Sequence, residues 1–427
     1  MRIYMDFLGC RLNEAEQASW HRQFSHRGHT VVNRPEDAQV MALNTCAVTA
    51  EAGRKSRRAL RRLSKVNPQA KLVATGCYAT LEPQKLIGDV GVDLIVPNGD
   101  KDQMVGQILT AYDDGDMPQL STVPSAQPAF AQTRTRAFVK VQDGCRNRCS
   151  FCIVTVARGA ERSRKIADVV AEVNHLVDLG YKEVVITGVH LGGYGSDINT
   201  SLDRLLSALL EKTTVPRIRL GSIEPWNFSH DFFSLFSSPR FCPHLHLPLQ
   251  SGSDTILKRM IRRCTVQGYR EIVDSALAAD PSFHISTDII VGFPGETEKE
   301  FAETLNTIDQ IPFGDMHLFR YSPRQGTAAT RLPNHVSTDV KRHRNKILHE
   351  VAAKKKKDFQ HRLVGEVTSV LWERDAERLE DGSLLWRGYT DNYIKVHTIS
   401  DVSLFNQITQ AKLVSWNSEH GLFAEVL

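Results

Sequence analysis

Residues 138–152 read FVKVQDGCRNRCSFC, and this stretch decides the fold of the region around it. The apolar run FVKV predicts a strand, Gly144 breaks it, and Cys145, Cys149 and Cys152 follow at once as C-x-x-x-C-x-x-C. Thiolates are soft ligands suited to iron–sulfur clusters. Three of them hold three irons of a cubane and leave the fourth open to a small molecule. A zinc knuckle is the competing reading. Zinc sites usually add a fourth Cys or His at close spacing, and His175 stands too far along a predicted helix to serve.

Outward from this motif, strand-like and helical patterns alternate from Ala137 to about Lys357. The strand-like segments number six: FVKVQDG, EVVITG, IRLGSIE, HLHLPL, HISTDIIVG and MHLFRYS. Six βα units predict a partial (βα) barrel whose functional loops lie at the carboxyl ends of its strands. Upstream, IYMDFLG, VMALNT, KLVATG and DLIVP alternate with helical stretches Glu14–His26, Glu51–Val66 and Lys101–Tyr112, which predicts a second parallel αβ sheet over residues 1–112. Cys10, Cys46 and Cys77 each come directly after one of these strands, as LGC, NTC and TGC. Adjacent strand ends of an open αβ sheet converge on one crevice, so these thiols form a second three-ligand set although 36 and 31 residues separate them. Three buried core cysteines would be the alternative. Cys242 and Cys264 lack such a context and read as structural.

The remaining segments complete an α/β chain of three domains. Residues 113–136 are polar and rich in Pro, Ser and Gln, as a linker is. Residues 137–360 form the central domain, ending in a basic helix, and residues 361–427 carry short aromatic-bearing β runs with a D-G turn at Asp381–Gly382, as in a small closed β-barrel. A length of 427 residues, 41% hydrophobic and 24% charged, suits a multidomain globular protein. No run approaches the roughly 20 apolar residues of a membrane helix, and the first residues lack a secretion-signal layout. A cytoplasmic location is expected, where eight cysteines serve metal or redox chemistry rather than disulfides.

The combination of motifs resembles the radical S-adenosylmethionine methylthiotransferases over essentially the whole chain. The matching stretches are LGCRLNEAE, NTCAVTAEAGRKSR, TGCYA, VQDGCRNRCSFCIV, ARGAERSR, RIRLGSIEP, HLPLQSGSD, DIIVGFPGET and RYSPRQGT. The chain departs from the family at Thr155–Val156, where relatives more often carry an Ile-Pro or similar pair. The resemblance implies two [4Fe–4S] clusters, a radical cluster on Cys145, Cys149 and Cys152 and an auxiliary one on Cys10, Cys46 and Cys77, with S-adenosylmethionine as methyl donor and radical source. It also implies a reductant protein and a C-terminal barrel similar to the RNA-binding TRAM module. Contacts to S-adenosylmethionine are expected at strand ends: Gly188, Glu224, Gln250, Asp288 and Gly292. Arg158, Arg162 and Arg164 are placed to pair with a carboxylate or phosphate.

Three substrates compete within that family: tRNA carrying threonylcarbamoyladenosine, tRNA carrying isopentenyladenosine, and a ribosomal-protein aspartate. LGCRLNEAE, NTCAVTAEAGRKSR and GVHLGGYG are most similar to the threonylcarbamoyladenosine enzymes. A two-cluster electron carrier or iron–sulfur RNA sensor is the reading from a different class. The overall net charge of +4 does not diagnose a nucleic-acid binder, so charge is read locally. In EAGRKSRRALRRLSKV, residues 51–66, Arg54, Arg58, Arg61 and Lys65 fall on one helical face suited to phosphates. The run Lys341–Lys357 is the second basic stretch. Against both, residues 361–427 hold six basic and ten acidic residues, a net of −4 that suits a phosphate binder poorly. Trp372, Trp386, Tyr389 and Tyr393 are its candidates for base stacking, with burial the competing reading. Oligomeric state leaves no mark in the sequence.

Overall fold

The computed structural model describes residues 1–113, 135–226, 228–229, 231–374 and 376–427; most of the expected linker 113–136 lies outside them. The chain divides into two compact units, each described by itself. The first takes the described residues of Met1–Gln132 with Asp143–Ala160 and Ser322–Thr330. The second takes those of Thr133–Gln142, Glu161–Tyr321 and Arg331–Leu427. Among the described residues no helix is long and apolar enough to cross a membrane.

The first unit is built on five strands, β1 (Arg2–Phe7), β2 (Thr30–Val32), β3 (Val40–Thr45), β4 (Lys71–Gly76) and β5 (Leu94–Val96). They pair in parallel in the order β2-β1-β3-β4-β5. This is a doubly wound order whose direction switches between β1 and β3, which opens a crevice at their carboxyl ends. The helices are α1 (Arg11–His26), α2 (Ala50–Val66), α3 (Cys77–Leu81), α4 (Pro83–Val90) and α5 (Met104–Tyr112). β3 is buried along its whole length, and Leu60 and Leu63 of α2 pack into the core with Leu43 and Leu72. Sequence patterning missed β2, whose three residues are too few to alternate, and read no helix after Cys77.

The second unit begins with β6 (Arg136–Asp143), whose last residue belongs to the first unit, as does α6 (Val154–Arg158). It continues with β7 (Arg162–Ser163), α7 (Ile166–Asp178), β8 (Glu183–Gly188), α8 (Leu202–Lys212), β9 (Arg217–Leu220) and β10 (His244–His246). Next come α9 (Asp254–Arg259), α10 (Val266–Ala279), β11 (His284–Val291), α11 (Glu298–Gln310), β12 (Asp315–Arg320) and α12 (Thr338–Arg362). Strands β6, β8 and β9 pair in parallel, β10, β11 and β12 pair in parallel, and bridges Ile218–Phe241 and Ser222–His246 join the two groups. The six expected strands thus form one curved parallel wall, and one apolar core runs from Val139 on β6 to Met316 on β12.

The chain ends in β13 (Val367–Trp372), β14 (Glu377–Arg378), β15 (Leu384–Thr390), β16 (Lys395–Ile399), β17 (Ile408–Asn417) and β18 (Gly421–Val426). Their order β13-β17-β18-β16-β15-β14, with β13 also paired to β15, closes the expected barrel. Trp372 and Trp386 are buried in its core, and Tyr389 stacks on Tyr393 with ring centroids 5.0 Å apart. Arg136 lies 4.3 Å from the Tyr389 ring centre and Arg219 4.6 Å from that of Tyr393. The four aromatics are therefore occupied by packing. Arg217 donates to the carbonyls of Tyr389 and Ser369, and Arg219 to that of Asp391. Burial alone would raise the pKa of Glu183, but the charge and hydrogen bonds of Arg219, helped by Arg136 and Arg217, bring it down to about 2. The anionic Glu183 in turn keeps both strand arginines aimed at the barrel.

Candidate metal centres

β1, β3 and β4 are neighbours, so the cysteines that follow them leave adjacent strand ends. Cys10 stands at the N-cap of α1, Cys46 comes directly after β3, and Cys77 opens α3. Gly9 has φ +103°, and a β-carbon there would sit 2.7 Å from Cys46 Sγ, so only glycine lets the two segments approach this closely. Burial pushes the Cys46 thiol pKa up, and the nearby Cys10 and Cys77 add to the shift by like-charge repulsion. Three thiols that repel one another as thiolates are a donor set whose charge a cationic cluster would neutralise. Asn98 Nδ2 is 3.7 Å from Cys77 Sγ, a further polar partner for that sulfur.

The second trio sits in one loop of the same unit. Gly144, at φ +76°, opens it; a β-carbon there would collide with the Ala160 carbonyl oxygen at 1.9 Å. Cys152 N–H donates to the Cys149 carbonyl, and Cys145 N–H to the Gly159 carbonyl. Asn147 N–H points at Cys145 Sγ (3.5 Å) and Val154 N–H at Cys152 Sγ (3.4 Å). Amides aimed at sulfur stabilise the thiolate and tune a bound cluster. Both trios fit iron–sulfur ligation on these observations. The divergent Thr155–Val156 pair lies within α6 and leaves this amide pattern in place.

A buried network that the sequence did not disclose spans the two cysteine segments. Arg158, on α6, bonds Asn13 Oδ1 (2.9 Å), Glu16 Oε1 (3.1 Å) and Asp143 Oδ1 (2.9 Å). Glu16 also accepts from Lys101 Nζ (2.6 Å) and Asn44 Nδ2 (2.9 Å). Asn13 and Glu16 follow Cys10 by three and six residues on α1, and Arg158 follows Cys152 by six. Burial disfavours the Arg158 charge, but Glu16 and Asp143, with Cys77 and Cys10 beyond them, raise its pKa well above the usual guanidinium value. The carboxylate partner anticipated for Arg158 is therefore internal to the protein, and Arg164 likewise bonds Glu172.

The expected cofactor contacts all lie in the second unit. Gly188 ends β8, beside Gln142, whose amide oxygen accepts from Val189 and His190 N–H. Burial raises the Glu224 pKa; the residue accepts from Gly192 N–H and faces His190 Nε2 at 3.8 Å, while His190 Nδ1 bonds Glu161 at 2.6 Å. Gln250 has φ +78° and exchanges backbone bonds with β11. Gly292, at φ +70°, gives its N–H to Glu296 and lies against Lys341. Asp288 is bonded by two imidazoles, those of His246 and His317. Cys242 is buried with its pKa pushed up to about 12, and burial likewise raises that of Cys264, both inert settings.

Both basic runs carry exposed cations. On α2, Arg54, Arg58, Arg61, Arg62 and Lys65 are exposed and, with Arg57, line an open hollow of about 600 Å³. Glu51, paired with Arg54, is the only acid bridged to it among the described residues. On α12 three cations are engaged within the protein, Lys355 with the Asp309 and Ile311 carbonyls, Lys356 with Asp315 and Arg344 with Glu296, while Arg342, Lys346, Lys354 and Lys357 are exposed.

Comparison with known proteins accords with this geometry. The Radical SAM superfamily model matches residues 139–308, and the model described as "Uncharacterized protein family UPF0004" matches residues 2–97. A radical S-adenosylmethionine methyltransferase, TsrM, from Kitasatospora setae superposes with a TM-score of 0.57 at 13% identity, over 74% of this chain and 72% of that one. That likeness shows the fold alone; the superfamily match over residues 139–308 makes the central region that of a radical SAM protein, which implies a [4Fe–4S] cluster and S-adenosylmethionine. The threonylcarbamoyladenosine tRNA methylthiotransferase MtaB of Bacillus subtilis is 36% identical over 95% of this chain and 92% of its own length. A tRNA-2-methylthio-N(6)-dimethylallyladenosine synthase of Akkermansia muciniphila is 35% identical over 87% and 88%. The chain belongs to the radical SAM methylthiotransferase family.

Proposed function

We propose that this enzyme methylthiolates C2 of N6-threonylcarbamoyladenosine next to the anticodon of tRNA. The exposed cationic stripe of α2, which opens four residues after Cys46 in the unit carrying both trios, is the observation that carries the nucleic-acid part. The name of the relative from Bacillus subtilis supports the choice of base. In this reading Cys145, Cys149 and Cys152 hold the radical cluster, and Cys10, Cys46 and Cys77 hold the auxiliary one. When bound, the clusters and S-adenosylmethionine supply the sulfur, the methyl group and the radical needed at an unactivated aromatic C–H bond.

The chain's own contribution is placement and charge. Amides of Asn147 and Val154 polarise the loop thiolates. Arg158 sets a buried positive charge within reach of Cys10 and Cys77 and fastens α6 to α1. Phosphates of the RNA backbone are taken by α2, which makes affinity salt-dependent. A cytoplasmic location and a reductant protein complete the reading.

Mass analysis of tRNA nucleosides from cells with and without the gene tests it. Loss of the 2-methylthio derivative, with threonylcarbamoyladenosine accumulating in its place, is the expected result. The reading is overturned if that nucleoside is unchanged while methylthiolated isopentenyladenosine, or a methylthiolated ribosomal-protein aspartate, disappears.

A further inference from the structure

The curved wall of the second unit carries a cluster of metal-capable side chains that neither cysteine trio involves. On β10, β11 and β12, Leu245, Ile285, Ile289, Val291 and Met316 face the packed core. Alternation therefore turns His246, Asp288 and His317 to the opposite face. Pairing brings them together: Asp288 is the register partner of His317, and His246 that of Ser286, one step along the same face. His246 Nε2 and His317 Nδ1 both lie 3.2 Å from Asp288 Oδ1, and the three donor atoms fall within 4.8 Å of one another.

The geometry points to a binding site for one divalent first-row transition ion on His246, Asp288 and His317. Two imidazoles and one carboxylate are a donor set suited to manganese, iron or zinc, with further positions open to oxygen ligands. Ligand atoms that each stand about 2.1 Å from a shared centre lie about 3 Å apart, as each imidazole nitrogen does from Asp288 Oδ1. Ser286 Oγ lies 2.9 Å from His246 Nδ1, where it would accept an N–H once Nε2 turns its lone pair to a metal. An entry path exists, since the side chain of His317 is 60% exposed.

The test uses the full chain with its clusters reconstituted and oxidised, a state in which [4Fe–4S] centres give no paramagnetic background. Mn(II) is titrated in while the free ion is followed by electron paramagnetic resonance, with Zn(II) as competitor. One Mn(II) bound per chain and displaced by Zn(II) is expected, and electron spin-echo modulation should show imidazole nitrogen coupled to it. His317→Ala and Asp288→Asn should each weaken binding about 10-fold or more with iron content unchanged, and Ser286→Ala should weaken it less. Absence of binding overturns the proposal. So does bound Mn(II) without nitrogen coupling in the wild-type chain, which needs no variant to fold, or binding that His317→Ala leaves intact. In those cases Asp288 serves only as the shared acceptor of two imidazoles.

Discussion

The two cysteine trios are assembled from opposite ends of the folding problem. The loop trio spans eight residues, and its geometry comes from local bonds such as Cys152 N–H to the Cys149 carbonyl. The strand-end trio spans 68 residues, and no local interaction assembles it. It exists only once β1, β3 and β4 are paired in order. A local set is specified by spacing, whereas a distributed set is specified by topology and must be fastened afterwards. Arg158 provides that fastening, running from the segment after the loop trio to α1 behind Cys10.

The largest effect that would break the comparison comes from the ligands themselves. Cys46→Ser and Cys152→Ser should each lower iron in anaerobically reconstituted protein from about eight to about four per chain and abolish methylthiolation. Equal product from the Cys46→Ser enzyme would show that the distributed set holds no working cluster. Next comes the tie. Arg158→Met leaves Glu16 and Asp143 buried without their shared cation, and denaturant unfolding of the first cooperative step should lose about 3–5 kcal/mol. A loss near zero would mean that each set stands independently.

The smallest effect concerns the metal-free thiols. Since burial and its neighbours raise the Cys46 pKa, less of it is thiolate at neutral pH. Iodoacetamide mapped by peptide mass should modify it several times more slowly than Cys149, and its rate should climb as pH rises. Cys242, pushed up to about 12, should be slower still. Equal rates at Cys46 and Cys149 would erase the environmental difference between the two sets.

What could be read in advance follows the same division. The six strands of the curved wall, the strand-end positions of Cys10, Cys46 and Cys77 and the loop position of Cys145, Cys149 and Cys152 were legible, because apolar runs and short cysteine spacings are local signals. The Glu16, Lys101 and Arg158 network was not, since its partners lie as far as 142 residues apart and each alone resembles a surface charge. Asp288 was legible as a strand-end polar residue and read as a cofactor contact, but its grouping with His246 and His317 was hidden for the same reason, although each interrupts an apolar strand on its outward alternation. The Lys354–Lys357 run divides: Lys355 is held by carbonyls and Lys356 by Asp315, whereas Lys354 and Lys357 are exposed, a split that composition does not disclose.

The attachment of the terminal barrel has a consequence for how such enzymes diversify. Arg217 and Arg219 grip the carbonyls of Ser369, Tyr389 and Asp391, atoms that every residue type supplies. Substitution of barrel side chains other than those Arg136, Arg217 and Arg219 also engage, Tyr389, Tyr393, Glu373 and Ser369, therefore leaves the joint intact. A lineage is free to recoat that module, even to an acidic exterior, while the catalytic body beneath it stays unaltered.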